Sequence, residues 1–247
     1  MSNLGGSSLV AVFYWLTLIR YNQIHFKVKF FYSHIMYKHP LLDRDKMSPQ
    51  EALDVLIEGN QRFVNNQISK KDFESLIHLT KDKQHPFTSF LSCSDSRAPV
   101  EMLFDQALGD VFSVRLAGNI ASDKGIGSLE FASKYLGSKL IVVLGHTSCG
   151  AVKAACDNFR EGHIGEIINQ IRPAVRQEKT VLGFRDSSNE DFVAKVCELN
   201  VKVQIKQIMH SSDIIEDLLN EKKIGLIGGV YNIATGQVNF LQDTLLL

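Results

Sequence analysis

Several things this chain does not have narrow what it can be. It carries no net charge, since 27 Lys and Arg are balanced by 27 Asp and Glu, so no overall field draws it to nucleic acid or to an anionic membrane. It has no CxxC pair, and its four cysteines, Cys93, Cys149, Cys156 and Cys197, are too few and too scattered for a secreted disulfide framework. Its conspicuous apolar stretch, Leu9 to Ile19, is eleven residues, short of the roughly 20 that a bilayer-crossing helix needs. No internal repeat or low-complexity tract breaks the chain.

Acid is missing from one place in particular. From Met1 to Leu42 there is no Asp or Glu, only Arg20, Lys27, Lys29 and Lys38. The positive charge follows the apolar stretch instead of preceding it, and no small-residue cleavage site is visible, which makes a poor signal peptide. We read residues 1–46 as an atypical extension, foremost as residues upstream of a true start at Met47. A membrane-surface or export segment and an arm on a partner subunit are the other readings. The cytoplasm is the expected location, with the periplasm as the alternative should this segment be a leader.

What remains suits one compact domain over residues 47–247: the 247 residues are 45% hydrophobic and 22% charged. Ser48-Pro49-Gln50-Glu51 provides an N-cap, a proline at the first helical position and an early acid, so a helix begins there. Ala52, Leu53, Leu56, Ile57 and Phe63 mark its buried face, and Asn60 and Arg62 are expected to look elsewhere. Phe87–Ser92 and Val111–Leu116 read as strands. Gly125–Leu136 reads as a helix, and Lys139–Leu144 as a central parallel strand buried on both faces. Helical segments follow at Ala151–Phe159, Ile164–Lys179, Glu190–Met209 and from Ser212-Asp213 to Asn220. Ile224–Tyr231 and Gln237–Leu241 form a closing hairpin around Ala234-Thr235-Gly236. The fold class expected is α/β: a mainly parallel central sheet with an antiparallel edge strand, flanked by helices.

Two segments carry chemistry. Ser92-Cys93-Ser94-Asp95-Ser96-Arg97 directly follows one strand, and Gly145-His146-Thr147-Ser148-Cys149-Gly150 directly follows another. Carboxyl ends of parallel strands are where open α/β sheets collect ligands, and adjacent strands would bring Cys93 near His146 and Cys149. A lone cysteine is usually a small buried hydrophobe and a lone His a hydrogen-bonded core or surface residue. Two thiolates and an imidazole together suit Zn2+, leaving one coordination position open for water whose pKa the metal lowers. Asp95 is near enough to Cys93 to fill that position, and Arg97 near enough to Asp95 to withdraw it. Cys156 and Cys197, among apolar helical neighbours, read as packing thiols.

The pair CSDSR and GHTSCGAV, in that order and at this separation, resembles the β-class carbonic anhydrases. The likeness runs from about Met47 to Leu241. SPQEALDVLIEGNQRFV is similar to that family's opening helix, FDQALGDVFSVRLAGN to its second-strand region and GGVYNIATGQVNFL to its closing hairpin. The resemblance implies Zn2+ on Cys93, His146 and Cys149, with Asp95 and Arg97 as a carboxylate–guanidinium pair and Asp95 as fourth ligand in a closed state. It implies reversible hydration of carbon dioxide to bicarbonate and a proton through zinc-bound hydroxide. By the same resemblance Gln84 reaches a neighbouring subunit's site, Gly150 touches substrate, and Phe112 and Phe131 belong to the apolar wall of the pocket. A homodimer or homotetramer follows, with a small-molecule substrate and no nucleic acid. His85, His163 and buffer are all candidate proton shuttles. Two rivals stay open: a zinc hydrolase of carbon disulfide or carbonyl sulfide, and a silent zinc scaffold.

Overall fold

The computed structural model describes residues 44–247; the extension expected over residues 1–46 lies outside them up to residue 43. Helix α1 (Pro49–Val64) starts as the sequence dictates: Glu51 N–H donates to Ser48 Oγ at 3.2 Å, while Ser48 N–H donates to Glu51 Oε2 at 2.7 Å. This reciprocal capping satisfies two amides that a helix start leaves orphaned. Ala52, Leu53 and Leu56 turn inward as expected. Asn60 does so too, contrary to expectation: its Nδ2 donates to the carbonyls of Leu103 and Gly236, both at 3.0 Å, and its Oδ1 accepts from Val238 N–H at 2.9 Å. A fully bonded amide can be buried without penalty, and here it ties the helix to two distant loops.

Beyond α1 come α2 (Phe73–Thr80), β1 (Thr88–Ser92), α3 (Val100–Leu103), β2 (Val111–Arg115), α4 (Asp123–Lys134), β3 (Leu140–His146), α5 (Gly150–Cys156), α6 (Ile164–Gln177), α7 (Glu190–Ser211), α8 (Asp213–Asn220), β4 (Gly225–Tyr231) and β5 (Val238–Leu246). The sheet order is β2-β1-β3-β4-β5; every pairing is parallel except β4 with β5. The α/β fold expected from the alternation of elements is therefore the one present. α2, capped by the Asp72 side chain on Ser75 N–H, was not legible beforehand, nor was the extension of β5 from Leu241 to Leu246.

The middle of the sheet explains its apolar run. Every residue of β3 is buried, and successive side chains go to opposite faces. Leu140, Val142 and Leu144 join a core with Leu53, Leu56, Phe90 and Phe104, while Ile141 and Val143 join another with Leu129, Val201, Ile208 and Ile215. Each such side chain is worth roughly 1.5–3 kcal/mol against exposure. A strand held on both faces is a rigid mount for whatever follows it.

Candidate metal centre

Three side chains meet where β1 and β3 end. Cys93 is the first residue past β1, and His146 is the last of β3. Because the strands are parallel neighbours with Ser92 level with Leu144, these two emerge side by side across 53 residues of sequence. Cys149 returns to them through a turn in which Ser148 takes a left-handed conformation (φ 55°), a geometry uncommon for a non-glycine residue and concentrated at functional sites. Cys93 Sγ lies 3.9 Å from Cys149 Sγ, and one ligand atom from each of Cys93, His146 and Cys149 falls within 4.8 Å of the others. All three residues are buried.

The imidazole is set up to bind. Its Nδ1 lies 2.9 Å from the Thr147 carbonyl, so that nitrogen carries the proton. Nε2 is then a bare acceptor, buried and with no hydrogen-bond partner, although leaving such a group unpaired costs on the order of 1–3 kcal/mol. Burial disfavours the imidazolium, but the adjacent Cys93 sulfur outweighs it and the net shift of His146 is upward. The thiols are just as unsettled: the hydrogen bond between them lowers Cys93 and raises Cys149, with burial adding to the latter. Two thiolates and a neutral imidazole would leave two negative charges buried, which a dication neutralises. The donor set, two sulfurs and one nitrogen, is that of zinc with a position left open.

Asp95 stands beside this group, held by Arg97. Nε of Arg97 donates to Oδ1 at 2.9 Å, Nη2 to Oδ2 at 2.8 Å, and the Arg97 amide to Oδ1 at 2.9 Å. These bonds hold the Asp95 carboxyl well below the usual carboxylate range. Its Oδ2 is 3.8 Å from His146 Nε2, so the carboxylate borders the centre while belonging to the guanidinium.

Gln84, Phe112 and Phe131 lie away from this centre within their own chain, and Gly150 lies beside it. Gln84 is exposed and precedes the amino end of β1, whereas Cys93 follows the carboxyl end; the five intervening strand residues rise about 17 Å. Phe112 is level with Ser89, four residues before Cys93 and so about 13 Å below it along the sheet. It packs on Phe131, ring centroids 6.4 Å apart, and Phe131 is 46% exposed. Gly150, the first residue of α5, adjoins Cys149 and has open space beside its Cα.

The site also has members the sequence did not disclose. Arg115 Nε donates to the Cys93 carbonyl at 3.1 Å and its Nη2 to the Asp95 carbonyl at 2.6 Å, fixing the loop that carries both. Gly118 N–H donates to Cys93 Sγ at 3.4 Å. Gly118 sits at φ 69°, and a Cβ there would come within 2.5 Å of Ile171 Cδ1, so the turn at Ala117-Gly118-Asn119 demands glycine. Cys197, expected to be a packing thiol, is buried but also donates to the His146 carbonyl at 3.0 Å. Cys156 is buried against apolar neighbours, as expected.

Comparison with known proteins agrees with the geometry. The family model described as carbonic anhydrase matches residues 88–238. A carbonic anhydrase of Mycolicibacterium smegmatis is 34% identical over 200 residues, covering 77% of this chain and 92% of the relative. Carbonic anhydrase 2 of Mycobacterium tuberculosis is 32% identical over 197 residues, covering 77% and 91%. Among solved structures, the Coccomyxa β-carbonic anhydrase in complex with acetazolamide superposes with a TM-score of 0.62 at 28% identity, covering 76% of this chain and 86% of that one.

Proposed function

This chain belongs to the β-carbonic anhydrase family, and we propose that it hydrates carbon dioxide reversibly to bicarbonate and a proton, with a zinc ion held by Cys93 Sγ, His146 Nε2 and Cys149 Sγ. The observation that carries this is the buried, unpartnered Nε2 of a histidine that gathers within 4.8 Å of two sulfurs lying 3.9 Å apart. A site built for no cation would have paired that nitrogen.

Zinc bound there supplies an acidic water ligand near neutral pH. The protein's part is orientation. Asp95, charged and fixed by three bonds from Arg97, is an acceptor that turns the nucleophile's lone pair toward the substrate carbon. Released by Arg97, the same carboxylate, which borders the centre 3.8 Å from His146 Nε2, would be available as a fourth ligand and would then close the site. The Gly150 amide, next to Cys149, would donate to a substrate oxygen in this reading. Gln84, at the far end of β1 from its own thiols, donates instead in the site of a second copy. The Phe112–Phe131 pair, partly exposed, supplies an apolar wall in the same reading. The smallest complete enzyme is then a homodimer, and its reduced thiols suit the cytoplasm.

Elemental analysis and stopped-flow hydration on one preparation test the proposal. We expect one zinc per chain, and carbon dioxide hydration that disappears on chelation and returns with zinc. Folded, reduced protein that holds no zinc, or zinc-loaded protein no faster than buffer, would refute it.

A further inference from the structure

Helix α7 is largely apolar on its inner side, yet Cys197, Asn200 and Gln204 are buried there among Val193, Val196, Val201, Ile205 and Ile208. Their spacing of three and four places them in one stripe. Polar groups in such surroundings are unfavourable unless bonded, and each finds its partner in a segment that leads to the metal centre. Cys197 Sγ donates to the His146 carbonyl at 3.0 Å. Asn200 Nδ2 donates to the Gly118 carbonyl at 2.9 Å, and the amide of that same Gly118 points at Cys93 Sγ. Gln204 steadies Asn200, donating to its Oδ1 at 2.9 Å, while accepting from Ala121 N–H at 2.8 Å.

We infer that this stripe is the outer shell of the metal centre and that Cys197 and Asn200 are positioning residues for its ligands, an assignment that rests on the zinc centre proposed above. Cys197 fixes the peptide between His146 and Thr147. The N–H of that peptide is held by the Tyr231 carbonyl at 2.9 Å, and the next carbonyl receives the imidazole Nδ1. With the peptide pinned at both ends, the ring cannot turn Nε2 away from the thiols. Asn200 fixes the left-handed turn at Gly118 and so aims an amide at the Cys93 sulfur, moderating its donor strength. The contact is close: a Cβ at Gly145 would lie 2.8 Å from Val201 Cγ2 and 3.3 Å from Cys197 Sγ. One helix thus ties together ligands from two strands.

The test measures zinc release to a chromophoric chelator and the absorption bands of the cobalt-substituted protein, for Cys197→Ala, Cys197→Ser, Asn200→Ala and, as a core control on the same helix, Ile208→Val. Outer-shell changes typically weaken metal binding 10–100-fold, so Cys197→Ala and Asn200→Ala should release zinc about 10-fold faster or more, with displaced cobalt bands. Cys197→Ser keeps a donor and should stay within about threefold of the parent, as should Ile208→Val. If packing alone mattered, the small apolar alanine would serve at least as well as serine. The inference is overturned if Cys197→Ser is as defective as Cys197→Ala, or if Cys197→Ala releases zinc no faster than Ile208→Val. Should Asn200→Ala fail to fold, the Cys197 pair still decides. A parent protein without zinc would instead bring down the proposed function itself.

Discussion

Asp105 and His146 are both about 1% exposed, and their surroundings are opposites. Asp105, in a left-handed conformation after α3, accepts from Arg62 Nε at 2.6 Å, from Ser69 Oγ at 2.6 Å, from the Ser69 amide and from Lys71 Nζ. Each oxygen is occupied, so the cluster closes on itself and staples α1 to the chain before α2. The Cys93–His146–Cys149 group is as deeply placed but leaves Nε2 unpaired beside two thiols 3.9 Å apart, with the Gly118 amide on one of them. A completed buried cluster is structural; an incomplete one points to a missing positive charge.

Two substitutions would break that contrast if it is false. His146→Asn should abolish zinc binding and lower carbon dioxide hydration by 10³-fold or more, while the urea midpoint of the metal-free protein moves far less than in the second variant, since the asparagine amide can still donate to the Thr147 carbonyl as Nδ1 does and what is lost is chiefly the unpaired edge of the ring. Asp105→Ala removes the shared acceptor of Arg62, Ser69 and Lys71 from a mostly buried place and should cost about 3 kcal/mol of stability, yet the folded fraction should keep its zinc. Zinc content and urea melts on both variants give four numbers; as large a stability loss in the first, or zinc loss from folded protein in the second, would erase the distinction.

Much of this was readable in advance, for a physical reason. The ligands sit in short contiguous motifs at strand ends, and a buried parallel strand such as β3 announces itself as an unbroken apolar run, so adjacency of two such strands was enough to join Cys93 to His146. Asn60, Asp105, Asn200 and Gln204 were not readable. Their partners lie in other segments, as Val238 does for Asn60 and Gly118 for Asn200, and hydropathy periodicity registers a polar residue only as outward-facing. Arg115 was hidden similarly: it bonds backbone carbonyls, which carry no sequence signal.

The two clusters differ also in where their remaining needs are met. Asp105 is satisfied within one chain, whereas the metal centre is proposed to borrow Gln84 from another. Gln84→Ala should lower kcat/KM about 10²-fold, the usual scale for losing one fixed donor, with zinc content unchanged. Mixing it with Cys93→Ala should restore part of the activity, because a mixed dimer has one site with intact thiols and a partner glutamine. No recovery after subunit exchange has been verified would place Gln84 outside the reaction.

The smallest effect separates Asp105 from Asp110, five residues on and fully buried. Burial opposes charge on both. At Asp105 the bonds from Lys71, Ser69 and Arg62 outweigh it and the carboxyl is lowered, whereas at Asp110 the Ala107 amide, at 2.8 Å, offsets little and the carboxyl is pushed up to about 7. The signs of their linkage to folding are therefore opposite. Asp105 contributes stability that is present above the ordinary carboxylate pKa of about 4 and fades as pH falls below it. Asp110 binds its proton more tightly folded than unfolded, so it destabilises progressively as pH rises from about 4 to about 7 and no further beyond. Asp110→Asn never ionises and can still accept from Ala107. Between pH 5 and 7 its urea-derived stability should gain on the parent by about 1–2 kcal/mol, then keep a constant lead to pH 8. A difference that stays flat across pH 5 to 7 would mean that Asp110 is ionised throughout and that the loop after α3 buries two charges, not one.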